Sequence, residues 1–370
     1  MQHCRGQTYC GREKVMLVKS KIKIIFLTAL FLLMVTGCSS IIYKSAFPTL
    51  SDGKYDSEFP YKGSSEELEQ ISKTIHRVSS LAFYRSYIFN SGTKVKLQDI
   101  NSDLLKNKAN SVGYFDKSSS GTAVTIYSEG DKIALLTCAH VISFPDTIFS
   151  YFADESGRFT DYLESISIKE RQLIFIAGFP SSPADGTDSD VDLLAIDKDK
   201  DLAVLGRTFS PKDRINFPVF PYPEGSAKQL EWGSFVYVFG YPMNYKMVSK
   251  AIVSSPDLDG QGTFLIDAVV NRGFSGGIVL GIRDGVPNFE FVGIIRSVPE
   301  EVEYMLQPEK LRGDIQYSPI VPYRGDIYAV QQEQLKYGIT RVIPIEMIKN
   351  FLNDKSGQLL KLGFNIKKFF

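Results

Sequence analysis

Arg272-Gly273-Phe274-Ser275-Gly276-Gly277-Ile278 decides how this chain is read, because it stands between two apolar runs, Phe264 to Val270 and Ile278 to Ile282. A serine boxed by glycines between two strands is a nucleophile candidate. The serine hydroxyl is weakly nucleophilic at neutral pH, so it needs a base within hydrogen-bond reach, an acidic group to orient that base, and amide donors for an oxyanion. Gly273 can turn its N–H toward the same point as the Ser275 N–H, since a residue without Cβ tolerates the unusual backbone angles required. Gly276 and Gly277 leave room for a substrate to approach. Taken by itself, the stretch also fits a glycine-rich β-turn with an incidental serine. The partners of Ser275 decide between the two.

Three histidines occur in the 370 residues, and His140 ends the apolar strand Ile133-Ala134-Leu135-Leu136-Thr137-Cys138-Ala139-His140-Val141. Downstream, Asp197-Lys198-Asp199-Lys200-Asp201-Leu202-Ala203-Val204-Leu205 places an aspartate at the start of a strand, after a charged turn. In these segments the chain resembles the chymotrypsin-like serine peptidases, and most closely their HtrA-type bacterial branch. Leu136 to Val141 is similar to the family's histidine segment, Asp201 to Leu205 to its aspartate segment, and Asp267 to Gly277 to its serine segment, in the family's order. The resemblance runs from about Gly121 to Leu352. It implies an all-β fold of two packed antiparallel six-stranded barrels with a short N-terminal helical extension and a C-terminal helix. It also implies His140, Asp201 and Ser275 as a catalytic triad, Gly273 and Ser275 as oxyanion donors, and peptide or protein substrates cleaved through an acyl-enzyme. The specificity pocket is expected at Val269, with Val270 and Ile295 close by, and no carboxylate among them favours aliphatic residues.

Two residues depart from the family pattern. Where zymogen-activated digestive peptidases carry an aspartate before the serine, to salt-bridge a newly cut N-terminus, this chain has Phe274. A phenyl ring cannot hold an ammonium that way, so activation by N-terminal insertion is not expected. Arg296, in the strand Phe291 to Ser297, stands where many relatives have a small polar residue, and it unsettles the hydrogen bonding expected around Asp201. The stretch after Leu352 is too short for the PDZ domain that follows many HtrA-type peptidases.

Other readings compete at three positions. Asp192-Leu193-Leu194-Ala195-Ile196 also opens a strand with an acidic residue, but Asp201 has the preceding strand and polar turn of the family pattern. Cys138 could share a strand face with His140, yet a cysteine inside an apolar strand is usually inert packing. His76 falls among Leu68, Ile71, Ile75, Val78 and Ala82, which recur at helical spacing, and is expected on a helix surface. No metal-ligand cluster and no cofactor motif is evident.

The N-terminus bears on location. Lys19, Lys21 and Lys23 precede the apolar run Ile24 to Val35, which has the length of a signal-peptide core and is short for a membrane span. It ends in Val35-Thr36-Gly37-Cys38, a lipobox, so Cys38 is the expected lipidation site and residues 1–37 the removed signal peptide. Residues 1–15 precede a second methionine, Met16, and read as a misassigned start. Ser39, rather than aspartate, after Cys38 favours the outer membrane of a double-membraned bacterium. Removing six basic residues and one acidic residue from a formally neutral chain leaves a mature net charge of −5 over 333 residues, which points away from nucleic acid. Only Cys38 and Cys138 remain, so no intrachain disulfide is expected.

The mature chain reads as a polar tether over 38–63, an N-terminal extension over 64–110, a peptidase domain over 111–352 and a tail over 353–370. Ser64 and Glu67 have capping-box spacing before an apolar stripe that predicts a helix, and Leu81 to Phe89 predicts a strand. Phe144 to Gln172 reads as an insertion. Pro211, Pro218, Pro221 and Pro223 mark the division between barrels, near 211–230. Phe235 to Pro242 opens the second barrel, and Arg341 to Ile345 with a helix over Glu346 to Leu352 closes it. Pro299 to Tyr337 has the length and polarity of a substrate-recognition loop or lid. The whole predicts a lipid-anchored serine endopeptidase of the cell envelope. The alternative is a catalytically silent binding or scaffold lipoprotein on the same fold.

Overall fold

The computed structural model describes residues 48–154, 156–179, 190–210, 217–297, 300–308, 320, 322, 325, 327–335 and 338–366. The chain divides into two units, Met1–Lys54 and Tyr55–Phe370. Within the first, the described residues hold one 3₁₀ turn, Pro48–Ser51; the apolar run Ile24 to Val35 and Cys38 lie outside the described residues. No described helix is long and apolar enough to cross a membrane.

The second unit begins with helix α1 (Ser65–Lys73), which buries Ile71 and ends at Thr74. The helical stripe read through Ala82 stops there, and strand β1 (Ile75–Ile88) takes over, with Val78, Ser80, Ala82, Tyr84 and Ser86 buried in alternation. Positions 78 and 82 satisfy both a period of two and a helical spacing, and pairing on both edges of β1 settles the choice. His76 therefore lies on a buried strand, not on a helix surface. Its Nε2 is 3.0 Å from Thr125 Oγ1, and Phe179 and Phe217 meet the ring edge-on.

Helix α2 (Ser102–Lys108) leads to β2 (Ser111–Glu129), β3 (Lys132–Cys138) and the single helical turn α3 (Ala139–Ile142). Then come β4 (Thr147–Ala153), β5 (Phe159–Ile176), β6 (Asp192–Asp197) and β7 (Leu202–Thr208). These strands form one antiparallel sheet in the order β4-β5-β1-β2-β3-β7-β6. The first lobe is thus a curled, open sheet of seven strands rather than the closed six-stranded barrel expected. The segment read as an insertion, Phe144 to Gln172, supplies the reason: it holds β4 and most of β5, and β5 pairs along β1 from Val78 to Ile88. Beyond the main core, Phe89, Val95, Leu105, Leu163 and Ile166 bury one another in a satellite cluster.

The second lobe closes on itself. Strands β8 (Phe235–Gly240), β9 (Met247–Ser255), β10 (Phe264–Ile266), β11 (Ile278–Ile282) and β12 (Phe289–Ser297) are followed by the hairpin β13 (Glu300–Pro308) and β14 (Ile327–Leu335), and then by β15 (Thr340–Pro344). Six of them make a barrel in the order β10-β15-β12-β11-β8-β9, and β13–β14 is a separate excursion within the expected lid segment. Phe235, Phe239, Phe264, Phe289 and Phe291 fill the interior, each worth about 1.5–3 kcal/mol relative to exposure. Helix α4 (Ile345–Lys361), longer than expected, packs Ile345, Ile348, Phe351, Leu352 and Leu359 inward. The buried side chains of both lobes form one continuous core.

Candidate active site

The apolar run of β3 is buried through Cys138 and delivers the chain into α3, where His140 comes up exposed between buried Ala139 and Val141. In the pairing of β3 with β7, Cys138 lies opposite Leu202, so the next pair outward is Ala139 and Asp201. The Ala139 N–H donates to the Asp201 carbonyl at 3.1 Å. The turn before Asp201 is held by Asp197, whose Oδ1 accepts the N–H groups of Asp199 and Lys200 at 3.1 and 2.9 Å. It leaves Asp201 at φ 58°, a left-handed conformation that aspartate tolerates better than most residues.

From that position the carboxylate grips His140 twice. The His140 main-chain N–H donates to Asp201 Oδ1 at 2.9 Å, and ring atom Nδ1 lies 2.8 Å from Oδ2. The Asp201 side chain is 8% exposed and that of His140 42%, so a buried acid steadies a reachable imidazole. The rival Asp192 pairs with Gly206, which pairs with Ala134. It sits six residues up the strand from His140, roughly 20 Å away along it.

Ser275 lies on the loop between β10 and β11, and the loop is fastened from both lobes. Thr122 of β2 donates its N–H to the Ser275 carbonyl at 2.8 Å and its hydroxyl to the Gly273 carbonyl at 2.7 Å. The same hydroxyl accepts the Tyr241 N–H at 3.0 Å, and Thr137 Oγ1 donates to the Thr122 carbonyl at 2.7 Å. On the barrel side, the Gly276 N–H donates to Ile295 O at 2.8 Å and the Ile295 N–H to Gly277 O at 2.7 Å. The serine loop and the histidine segment are therefore neighbours: a Cβ at Gly276 would stand 3.2 Å from the Cys138 nitrogen and would strike the Thr122 carbonyl.

Gly273 is at φ 107°, and a Cβ there would run into the Tyr241 carbonyl. Glycine is required on both counts. Among the described residues, no acceptor meets the N–H of Gly273 or of Ser275, which leaves both donors free. The Ser275 hydroxyl and His140 Nε2 likewise make no hydrogen bond among the described residues. Phe274 is buried, its ring packed over Gly240, where a Cβ would touch it.

Cys138 does not compete with Ser275. Its thiol is fully buried and donates to the Ile295 carbonyl at 3.2 Å, and burial, with the Asp201 charge second, pushes its pKa well up. Cys138, His140 and Asp201 do bring ligand-type atoms within 4.8 Å of one another. A thiol kept protonated and a ring nitrogen already engaged by the carboxylate make this a poor metal site. Of the expected pocket residues, Val270 and Ile295 are buried and Val269 is 66% exposed. Arg296, at the end of β12, places Nε 3.4 Å from Asp201 Oδ2. Sequence reasoning missed Thr122 as the tie between lobes; its one signal was a hydroxyl directly after Gly121.

Residues 121–294 match the trypsin-like peptidase domain family. No curated protein matches the sequence. Among solved structures, the HtrA-type protease AlgW with tripeptide is similar at 17% identity and a TM-score of 0.40, over 80% of this chain and 64% of that one. The serine endoprotease from Yersinia pestis is similar at 17% identity and a TM-score of 0.37, over 80% of this chain and 67% of the other. The chain thus spans about 64% of the length of AlgW. Residues 121–294 thus carry the match to the trypsin-like peptidase domain, on a chymotrypsin-like arrangement of an open sheet against a closed barrel.

Proposed function

We propose that the protein is a serine endopeptidase in which Ser275 is the nucleophile, His140 the general base and Asp201 the group that orients it. The observation that carries this reading is the double grip of Asp201 on the main chain and ring of His140, which leaves Nε2 as the free ring nitrogen. Ser275 Oγ attacks the carbonyl carbon of the scissile peptide bond while its proton passes to Nε2. The carbonyl oxygen becomes an oxyanion held by the N–H groups of Gly273 and Ser275. His140 then gives its proton to the leaving amine as the C–N bond breaks, and the acyl group stays on Ser275. Water attacks this ester, loses a proton to His140, and the acid leaves as Ser275 Oγ is reprotonated.

With no carboxylate among Val269, Val270 and Ile295, the reading extends to cleavage after small or medium aliphatic residues. A lysine or arginine side chain left unpaired against such a surface would cost several kcal/mol, on the order of 3–5. Anchoring through lipidated Cys38 in the cell envelope, at the outer membrane in a double-membraned bacterium, is proposed from the Val35 to Cys38 motif and Ser39.

A fluorophosphonate reagent tests the chemistry on the full chain. The expected result is one adduct, on Ser275, that disappears in Ser275→Ala. A folded protein that takes no adduct would favour a binding or scaffold role. Mass spectrometry of the N-terminal peptide tests the anchor, and an unmodified peptide running through Cys38 would refute it.

A further inference from the structure

Ile295 and Arg296 serve the site in different ways. The main chain of Ile295 is fixed on both sides, by Gly276 and Cys138 at its carbonyl and by Gly277 at its N–H. The side chain of Arg296 therefore departs from a set point beside Asp201. Its Nε lies 3.4 Å from Oδ2, the same oxygen that His140 Nδ1 meets at 2.8 Å. The other charged or titratable groups nearby are accounted for. The Cys138 thiol of β3 is held protonated by burial, and Lys200, next in sequence to Asp201, turns its ammonium to Asp197 and to Asp354 of α4 at 3.3 and 3.0 Å. Arg296 is thus the permanent cation on Asp201 among the described residues.

We propose that Arg296 is a positioning residue of the peptidase reaction, sharing Asp201 Oδ2 with His140 and thereby tempering the charge that Asp201 presents to the His140 ring. The inference rests on the peptidase reading above. A lone carboxylate stabilises an imidazolium beside it, whereas a carboxylate already paired with a guanidinium is nearly neutral and does so less. Arg296 therefore weakens the pull of Asp201 on a protonated His140 ring. The same ion pair holds the Asp201 carboxylate from the side away from the main chain of His140. The guanidinium side chain is 39% exposed, so solvent and salt weaken the effect without removing it.

The test is the pH dependence of kcat/KM for the full chain carrying Arg296, Arg296→Met or Arg296→Lys. Methionine keeps much of the length and loses the charge; lysine keeps the charge. The acid limb of Arg296→Met should move to higher pH by about one unit, and Arg296→Lys should recover most of the shift. An acid limb that stays in place for Arg296→Met overturns the proposal, even if kcat falls, because packing alone would lower the whole profile. NMR titration of the His140 ring, assigned with His140→Gln, gives a readout that needs no turnover. Its midpoint should rise in Arg296→Met, and an unmoved midpoint again overturns the proposal. Absent fluorophosphonate labelling with a shifted midpoint would sink the peptidase reading while leaving the charge coupling intact.

Discussion

The two lobes reach a similar end by opposite means. The barrel uses strands of three to nine residues and closes completely, with β8 and β11 buried at every position. The first sheet stays open, and its strands β1, β2 and β5 run to 14, 19 and 18 residues, beyond the main core to a second, small cluster. Closure leaves no free edge but limits growth; an open sheet can lengthen without disturbing its centre. Asp201 sits buried just before β7 in the open sheet with the exposed His140 beside it, and Ser275 on a loop of the closed barrel. The candidate site residues thus come from the well-packed centre of each lobe, while the long strands of the open sheet run on beyond it to the satellite cluster.

The largest test of that contrast lies within the open sheet. Asp201→Asn, which suits the left-handed backbone and keeps the shape, should lower kcat by about 10⁴-fold, while Asp192→Asn on the edge strand should leave it unchanged. If Asp192→Asn is the inactive variant, the assignment of the orienting acid is wrong. Next come the two clusters. Phe239→Ala in the barrel should cost about 3–5 kcal/mol, whereas Leu105→Ala in the satellite cluster should cost about 2 kcal/mol and leave kcat/KM within about twofold. Urea unfolding measures both, and equal losses would mean that the satellite is part of the main core.

A third test uses the first lobe's buried histidine. Desolvation, with the charge of Lys246 second, lowers the pKa of His76 to about 4 from an ordinary 6.5. The unfolded chain then binds more protons than the folded one between these values, so stability is full above about pH 6.5 and falls as pH drops toward 4. The loss should reach about 3 kcal/mol, and His76→Phe should flatten that part of the profile. An unchanged slope in the variant would show that other groups carry it. The smallest effect concerns the joint between lobes. Thr122→Val removes the hydroxyl shared by Gly273 and Tyr241, and should cost about 1–3 kcal/mol. Fluorophosphonate labelling should slow with it.

What could be read in the sequence was local. Gly273 to Gly277, Cys138 to Val141 and the Asp201 strand are short segments whose meaning depends on neighbours in the chain and on their order, and the structure brings His140 against Asp201 and sets the Ser275 loop beside them. What could not be read was pairing at a distance. Whether Ile75 to Ala82 continues a helix or begins a strand depends on β2 and β5, which lie some tens of residues away. The openness of the first sheet depends on β5 choosing β1, and the role of Thr122 on a loop more than a hundred residues later. Arg296 was visible as a departure, but its ion pair with Asp201 was not.

The Thr122 amide gives the cross-lobe joint a clock. Its proton is the one bonded to the Ser275 carbonyl, so solvent can replace it with deuterium only when the serine loop lets go of the open sheet. The exchange lifetime of this single proton therefore reports how often the two halves of the site part company. It does so in the resting protein, with no substrate and no inhibitor present.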